Sequence, residues 1–103
     1  MYDIFMDSFD LFPLACIVNG KFIALHGGIS PDMRSVLQII IRQLEDIKRI
    51  DRFHEPPNVG LFCDILWSDP VENDHGYLDG GWRGNEVRGC SWFFGIEAAN
   101  KFL

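Results

Sequence analysis

Asn19-Gly20 separates two short apolar runs, Leu14–Val18 and Phe22–Leu25. That dipeptide favours the type I′ turn, whose twist suits a pair of antiparallel strands. A β-hairpin over residues 14–25 is therefore the strongest local constraint on the fold. Its second strand stops at His26-Gly27-Gly28, which puts an imidazole at the mouth of a strand beside backbone with no side chains to crowd a ligand. Neutral imidazole is the commonest nitrogen ligand for zinc, iron and manganese. Glycine lets backbone approach a bound group closely or turn with positive φ. His26 is accordingly a candidate metal ligand, although a lone histidine here can equally be a satisfied turn residue.

The elements around the hairpin are mixed. Tyr2, Phe5, Met6 and Phe9 fall at i, i+3, i+4 and i+7, one face of an amphipathic helix that Pro13 closes and that no N-cap precedes. Ile96–Leu103 reads as a second helix with no glycine stop. Helices open at both ends lead us to expect a piece of a longer protein. Ser30-Pro31 is an N-cap with proline at the first helical position. Met33, Leu37, Ile40, Leu44 and Ile47 then repeat on a helical face as far as Ile50, and Ile39-Ile40-Ile41 is apolar on more than one side. Pro56-Pro57 ends regular structure. Leu61–Trp67 is apolar enough to be buried, Ser68–Asn85 reads as a long polar surface loop, and Ser91–Phe94 as a short buried strand.

Composition narrows the function classes. A chain of 103 residues, 48% of them hydrophobic, is one domain and too apolar for disorder. Nine basic against 15 acidic residues leave a net charge of -6, which excludes nucleic acid or an anionic membrane as a partner bound by bulk electrostatics. Any anion must be gripped locally. No apolar stretch is long enough to span a bilayer and the N-terminus lacks a signal-peptide pattern, so a cytoplasmic location is expected. Cys16, Cys63 and Cys90 are widely spaced and odd in number, which argues for free thiols, mostly buried.

Most candidate constellations fail on spacing. The acidic stretch Asp69–Asp79 lacks the alternating ligands of a calcium loop and reads as a solvated face. The nearby glycines do not lead into a helix as a phosphate-cradling loop would. No serine stands in a nucleophile-elbow frame. His54 and His75 have no second ligand at helical spacing and read as surface residues. Arg88, in Val87-Arg88-Gly89, remains beside His26. A guanidinium at the end of a loop offers a planar fork to a phosphate, and it can equally tether its loop through carbonyl groups.

Four segments in order decide between these readings. Leu25-His26-Gly27-Gly28-Ile29-Ser30-Pro31, Asp51-Arg52-Phe53 with Glu55-Pro56-Pro57, Cys63-Asp64-Ile65-Leu66-Trp67-Ser68-Asp69-Pro70, and Arg88-Gly89-Cys90-Ser91 resemble the motifs of the metal-dependent serine/threonine phosphoprotein phosphatases, most closely the calcineurin-like branch. The resemblance implies an α/β fold, part of a metallophosphatase β-sandwich of two sheets flanked by helices. It makes residues 1–103 the later central part of such a catalytic domain. It further implies that His26 ligates one ion of a dinuclear centre of iron and zinc or manganese, that Arg88 binds the substrate phosphate, and that Trp67 borders the substrate groove.

That family also needs an Asp-x-His pair, a bridging aspartate, an Asn-His-Glu motif and a further histidine, none of which occurs here. The expectation is therefore that the longer protein acts on phosphoproteins, while this stretch alone holds no catalytic residue and an incomplete metal centre. Calcineurin B and calmodulin are implied as partners of the longer protein only. Self-association of the uncovered faces is also expected. Arg34–Ile41 and Asp74–Asn85 depart from the family wording. A short noncatalytic binding module keeping part of the fold is the alternative.

Overall fold

The structure, a computed structural model, describes residues 1–33, 44–71 and 78–103. Helix α1 spans Tyr2–Asp10 and ends ahead of Pro13. Strands β1 (Ala15–Val18) and β2 (Phe22–Leu25) pair antiparallel in the predicted hairpin. Asn19 and Gly20 take φ of 52° and 63°, as a type I′ turn requires, and the Lys21 amide closes it on the Val18 carbonyl at 3.1 Å. Because Val18 pairs with Phe22, Lys21 is one residue beyond the tightest hairpin. Alternation along both strands turns Ala15, Ile17, Ile23 and Leu25 inward.

The Ser30 hydroxyl accepts from the Asp32 amide at 3.1 Å, closing a turn over Pro31 and Asp32. Residues 34–43, which include the Ile39-Ile40-Ile41 run and most of the predicted long helix, lie outside the described residues, and so does His75. Within the predicted span the described residues include helix α2 (Leu44–Arg49). Met33 and Ile47, two positions of its apolar face, are both in the core.

Leu61–Trp67 forms helix α3, which opens at Gly60, a residue with φ of 88°. Its Phe62, Cys63, Asp64 and Ile65 are buried in succession, so α3 is wrapped on all sides rather than amphipathic. The predicted surface loop over Ser68–Asn85 needs correction. Asp69–Pro70 is strand β3 and Trp82–Gly84 is β4, while Ser68 and Asn85 are buried. Residues 72–77 lie outside the described residues. Strand β5 (Trp92–Phe94) runs between the other two, parallel to β3 and antiparallel to β4. Helix α4 (Ile96–Phe102) follows it directly.

The architecture is thus mixed α/β, with a two-stranded and a three-stranded sheet flanked by helices, as the resemblance implied. One core joins Ile29, Met33, Ile47, Ile65, Ala98 and Phe102, drawing both sheets and two other helices, α2 and α4, onto α3. Helix α1 stays outside it. None of its residues is buried, and Tyr2, Phe5 and Phe9 are all more than half exposed. The accessible surface of 7468 Å² exceeds the roughly 5,900 Å² expected of a closed monomer of this mass.

Candidate functional site

The C-terminal end of α3 organises the candidate residues. On one side of it runs the His26-Gly27-Gly28 turn. The Gly27 amide donates to the Ile65 carbonyl at 2.7 Å, satisfying one of the carbonyls a helix end leaves open. A Cβ on Gly27 would stand 2.7 Å from the Leu66 carbonyl carbon and 2.8 Å from the Trp67 nitrogen. A Cβ on Gly28 would meet the Phe94 ring and the Ser68 hydroxyl. The turn lies against protein backbone and core, which by itself demands glycine at both positions.

His26, held by that turn, is exposed. It lines a cleft of about 330 Å³ together with Phe9, Phe12, Arg52, His54 and Leu66. Arg52 is tied down there, its Nε donating to the Phe12 carbonyl at 3.1 Å. His54 is exposed, as expected, and stands edge-on to Phe62 with ring centroids 5.8 Å apart.

Arg88 occupies the turn between β4 and β5. Its Nε donates to Asp69 Oδ2 at 2.9 Å and its Nη2 to Asp69 Oδ1 at 3.3 Å, a two-pronged ion pair. The guanidinium lies over the Trp67 ring, 5.8 Å from its centroid. Trp67 is 42% exposed, so it belongs to the surface around Arg88 rather than to the core. Asn85, almost fully enclosed, ties the group together. Its Nδ2 donates to Asp69 Oδ2 at 2.9 Å and its Oδ1 accepts from the Arg88 amide at 3.1 Å. These bonds hold the Asp69 carboxyl below the usual carboxylate range, the Arg88 bond contributing most and the Asn85 bond next. Asp69 therefore does not belong to a solvated acidic face.

A buried carboxylate links the two turns beneath the surface. Asp64, 2% exposed, accepts the Ser30 hydroxyl on Oδ2 at 2.6 Å and the Ser91 hydroxyl on Oδ1 at 2.7 Å. Ser91 adopts φ of 64°, a left-handed conformation that an L-residue holds only when its surroundings impose it. Cys63 lies alongside, enclosed, while Cys90 is half-buried and Cys16 exposed; "mostly buried" therefore fits only Cys63 fully. Burial, and then the Cys90 thiol, push the Cys63 pKa up to about 12.

The structure thus unites Arg88 with Trp67 and packs the turn that follows His26 against the end of the same helix. Reading by sequence missed Asp64, Asp69, Asn85 and Ser91. One signal was available: Asp64 is the single charge within the apolar run Leu61–Trp67, where an unpaired carboxylate would be costly.

The sequence profile of the calcineurin-like phosphoesterases matches residues 1–103. The chain belongs to that family. A calcineurin-like phosphoesterase implies a metal-ion cofactor, but the residues described here do not fit a dinuclear centre by themselves. His26 is one imidazole, and among the described residues no three His, Cys, Asp or Glu side chains gather as a metal site. The chain is 42% identical over 111 aligned positions to the serine/threonine-protein phosphatase 2B catalytic subunit A1 of Saccharomyces cerevisiae, covering all of this chain and 19% of that protein. Among solved structures it resembles a protein serine/threonine phosphatase from Saccharomyces cerevisiae with similarity to human phosphatase PP5. That match has a TM-score of 0.71 and 34% identity over 99% of this chain and 27% of the other. The chain therefore spans about a fifth to a quarter of the length of these relatives.

Proposed function

We propose that residues 1–103 form the later central part of a protein serine/threonine phosphatase catalytic domain, with Arg88 receiving the phosphate of a phosphoprotein substrate. The observation that carries this reading is the exposed Arg88 guanidinium, fixed by Asp69 beside Trp67. A fixed planar cation suits a dianionic phosphate, because little orientation is lost on binding. In a chain of net charge -6 such a local grip is what anion binding needs. Trp67 supplies a flat apolar wall next to the cation for the residues around the phosphorylated side chain.

His26 is proposed as one ligand of a dinuclear centre, of iron and zinc or manganese, whose other ligands lie outside these 103 residues. The chain on its own then turns over no phosphomonoester. By analogy with the phosphatase 2B relative, calcineurin B and calmodulin are proposed as regulatory partners of the complete gene product, and the cytoplasm as its location. No described helix is long and apolar enough to cross a membrane. The open apolar face of α1 supports self-association of the isolated chain.

The test is hydrolysis of para-nitrophenyl phosphate with added manganese by the complete gene product, by residues 1–103 alone, and by the complete product carrying Arg88→Ala or His26→Ala. Turnover by the complete product, none by residues 1–103 alone, and a loss of about 100-fold or more with Arg88→Ala are expected. Turnover that survives both substitutions would overturn the proposal and favour a noncatalytic binding module.

A further inference from the structure

We infer that Asp69, itself held by Asn85, is a positioning residue that selects which edge of the Arg88 guanidinium faces a phosphate group. The inference rests on the phosphate-binding role proposed for Arg88. A guanidinium carries five N–H donors. Asp69 takes the Nε hydrogen and the Nη2 hydrogen beside it, through contacts of 2.9 and 3.3 Å. The donors left are the two on Nη1 and the outer one on Nη2. They form the end-on fork, which matches two phosphate oxygens, so the carboxylate closes the side edge and leaves only the terminal edge available.

An exposed ion pair would ordinarily be too loose to impose such a choice. Here Asn85 removes that freedom. It is 3% exposed, and among the described residues its three side-chain hydrogen bonds converge on this group: Nδ2 to Asp69 Oδ2 at 2.9 Å, Nδ2 to the Trp67 carbonyl at 3.4 Å, and Oδ1 from the Arg88 amide at 3.1 Å. One buried side chain thus fixes the backbone that carries the guanidinium and the carboxylate that aims it. With the Trp67 ring below, the guanidinium is restrained at its base, on one edge and on one face.

Asp69 also opposes phosphate binding through its charge, and the two effects separate kinetically. Asp69→Asn removes a repulsive charge, which favours the ground-state complex, but weakens the aim, which costs the transition state. In the complete gene product with para-nitrophenyl phosphate and manganese, Asp69→Asn is expected to lower kcat about tenfold with a smaller change in KM. Asp69→Glu, which keeps the charge but displaces it by one methylene, should also lower kcat. In an Arg88→Ala background Asp69→Asn should leave kcat unchanged and move KM only through the loss of the repulsive charge. Thermal unfolding of each variant identifies any that fails to fold, and Asp69→Glu then carries the comparison.

If Arg88→Ala itself leaves kcat/KM unchanged, the phosphate-binding reading fails and this inference with it. If Arg88→Ala lowers kcat/KM but both Asp69 variants match the unmutated protein, only the positioning role fails. An equal loss from Asp69→Asn with and without Arg88 would show that Asp69 acts independently of the guanidinium, and would likewise overturn the inference.

Discussion

Asp64 accepts the Ser30 hydroxyl at 2.6 Å in an enclosed pocket, four residues along the chain from His26. Its other oxygen takes Ser91, three residues beyond Arg88. A single carboxylate on α3 therefore braces both turns that carry candidate functional residues. Asp64→Ala leaves the enclosed Ser30 hydroxyl and the half-buried Ser91 hydroxyl without their acceptor and is expected to destabilise the protein by about 2–5 kcal/mol. Asp64→Asn keeps one acceptor and should cost less. Urea unfolding of the two variants measures the order, and equal or negligible losses would contradict the bracing role.

Gly27 and Gly28 should differ in their tolerance of a methyl group. At Gly27 the obstacles are the Leu66 carbonyl carbon and the Trp67 nitrogen, 2.7 and 2.8 Å from the new Cβ, and backbone at a helix end cannot yield without losing the Gly27–Ile65 bond. At Gly28 the obstacles are the side chains of Phe94 and Ser68, which can rotate. Gly27→Ala is expected to lower stability by about 2–3 kcal/mol and Gly28→Ala by less. Paired thermal melts test the order.

The Asp69–Arg88 pair sets a pH response. The folded-state pKa of Asp69 is depressed, first by the Arg88 bond and then by Asn85. Its stabilising contribution is therefore fully present above the ordinary carboxylate pKa of about 4 and is lost as pH falls through the lower folded value. Between pH 5 and 8 the clamp should not titrate. Replacing Asp69 with Asn should remove part of the loss of stability in acid while leaving the neutral-pH slope unchanged, which urea midpoints measured from pH 2 to 8 can resolve.

Thiol reactivity should follow burial. Cys16 is exposed on β1 and is expected to alkylate first under native conditions. Cys63, enclosed and with its pKa pushed up to about 12, stays a thiol at neutral pH and should resist iodoacetamide until the protein unfolds. Peptide mapping after timed alkylation distinguishes the two; early labelling of Cys63 would contradict the enclosure of α3.

Sequence reading succeeded where the chemistry is local. Asn19-Gly20 names its own turn, because few other dipeptides take positive φ twice, and Ser30 bonds the amide only two residues on. It failed where partners are distant. Asp69 and Arg88 are 19 residues apart and Asp69 and Asn85 are 16 apart, with polar, glycine-rich sequence between them. That stretch looks like surface until β3 and β4 are paired with β5, since pairing with β5 brings strands distant in sequence together. The apolar periodicity of α1 located the helix but not a partner for it. The roles proposed for His26 and Arg88 came from ordered motifs rather than from periodicity, and the structure explains why: both lie on irregular backbone outside the strands.

The central claim is that Arg88 receives a phosphate group. Inhibition by inorganic phosphate tests it most directly, using the complete gene product and its Arg88→Ala variant with para-nitrophenyl phosphate as reporter. The expected result is an inhibition constant about tenfold or more weaker in Arg88→Ala, with little change in thermal unfolding. Equal inhibition of the two proteins would contradict the account.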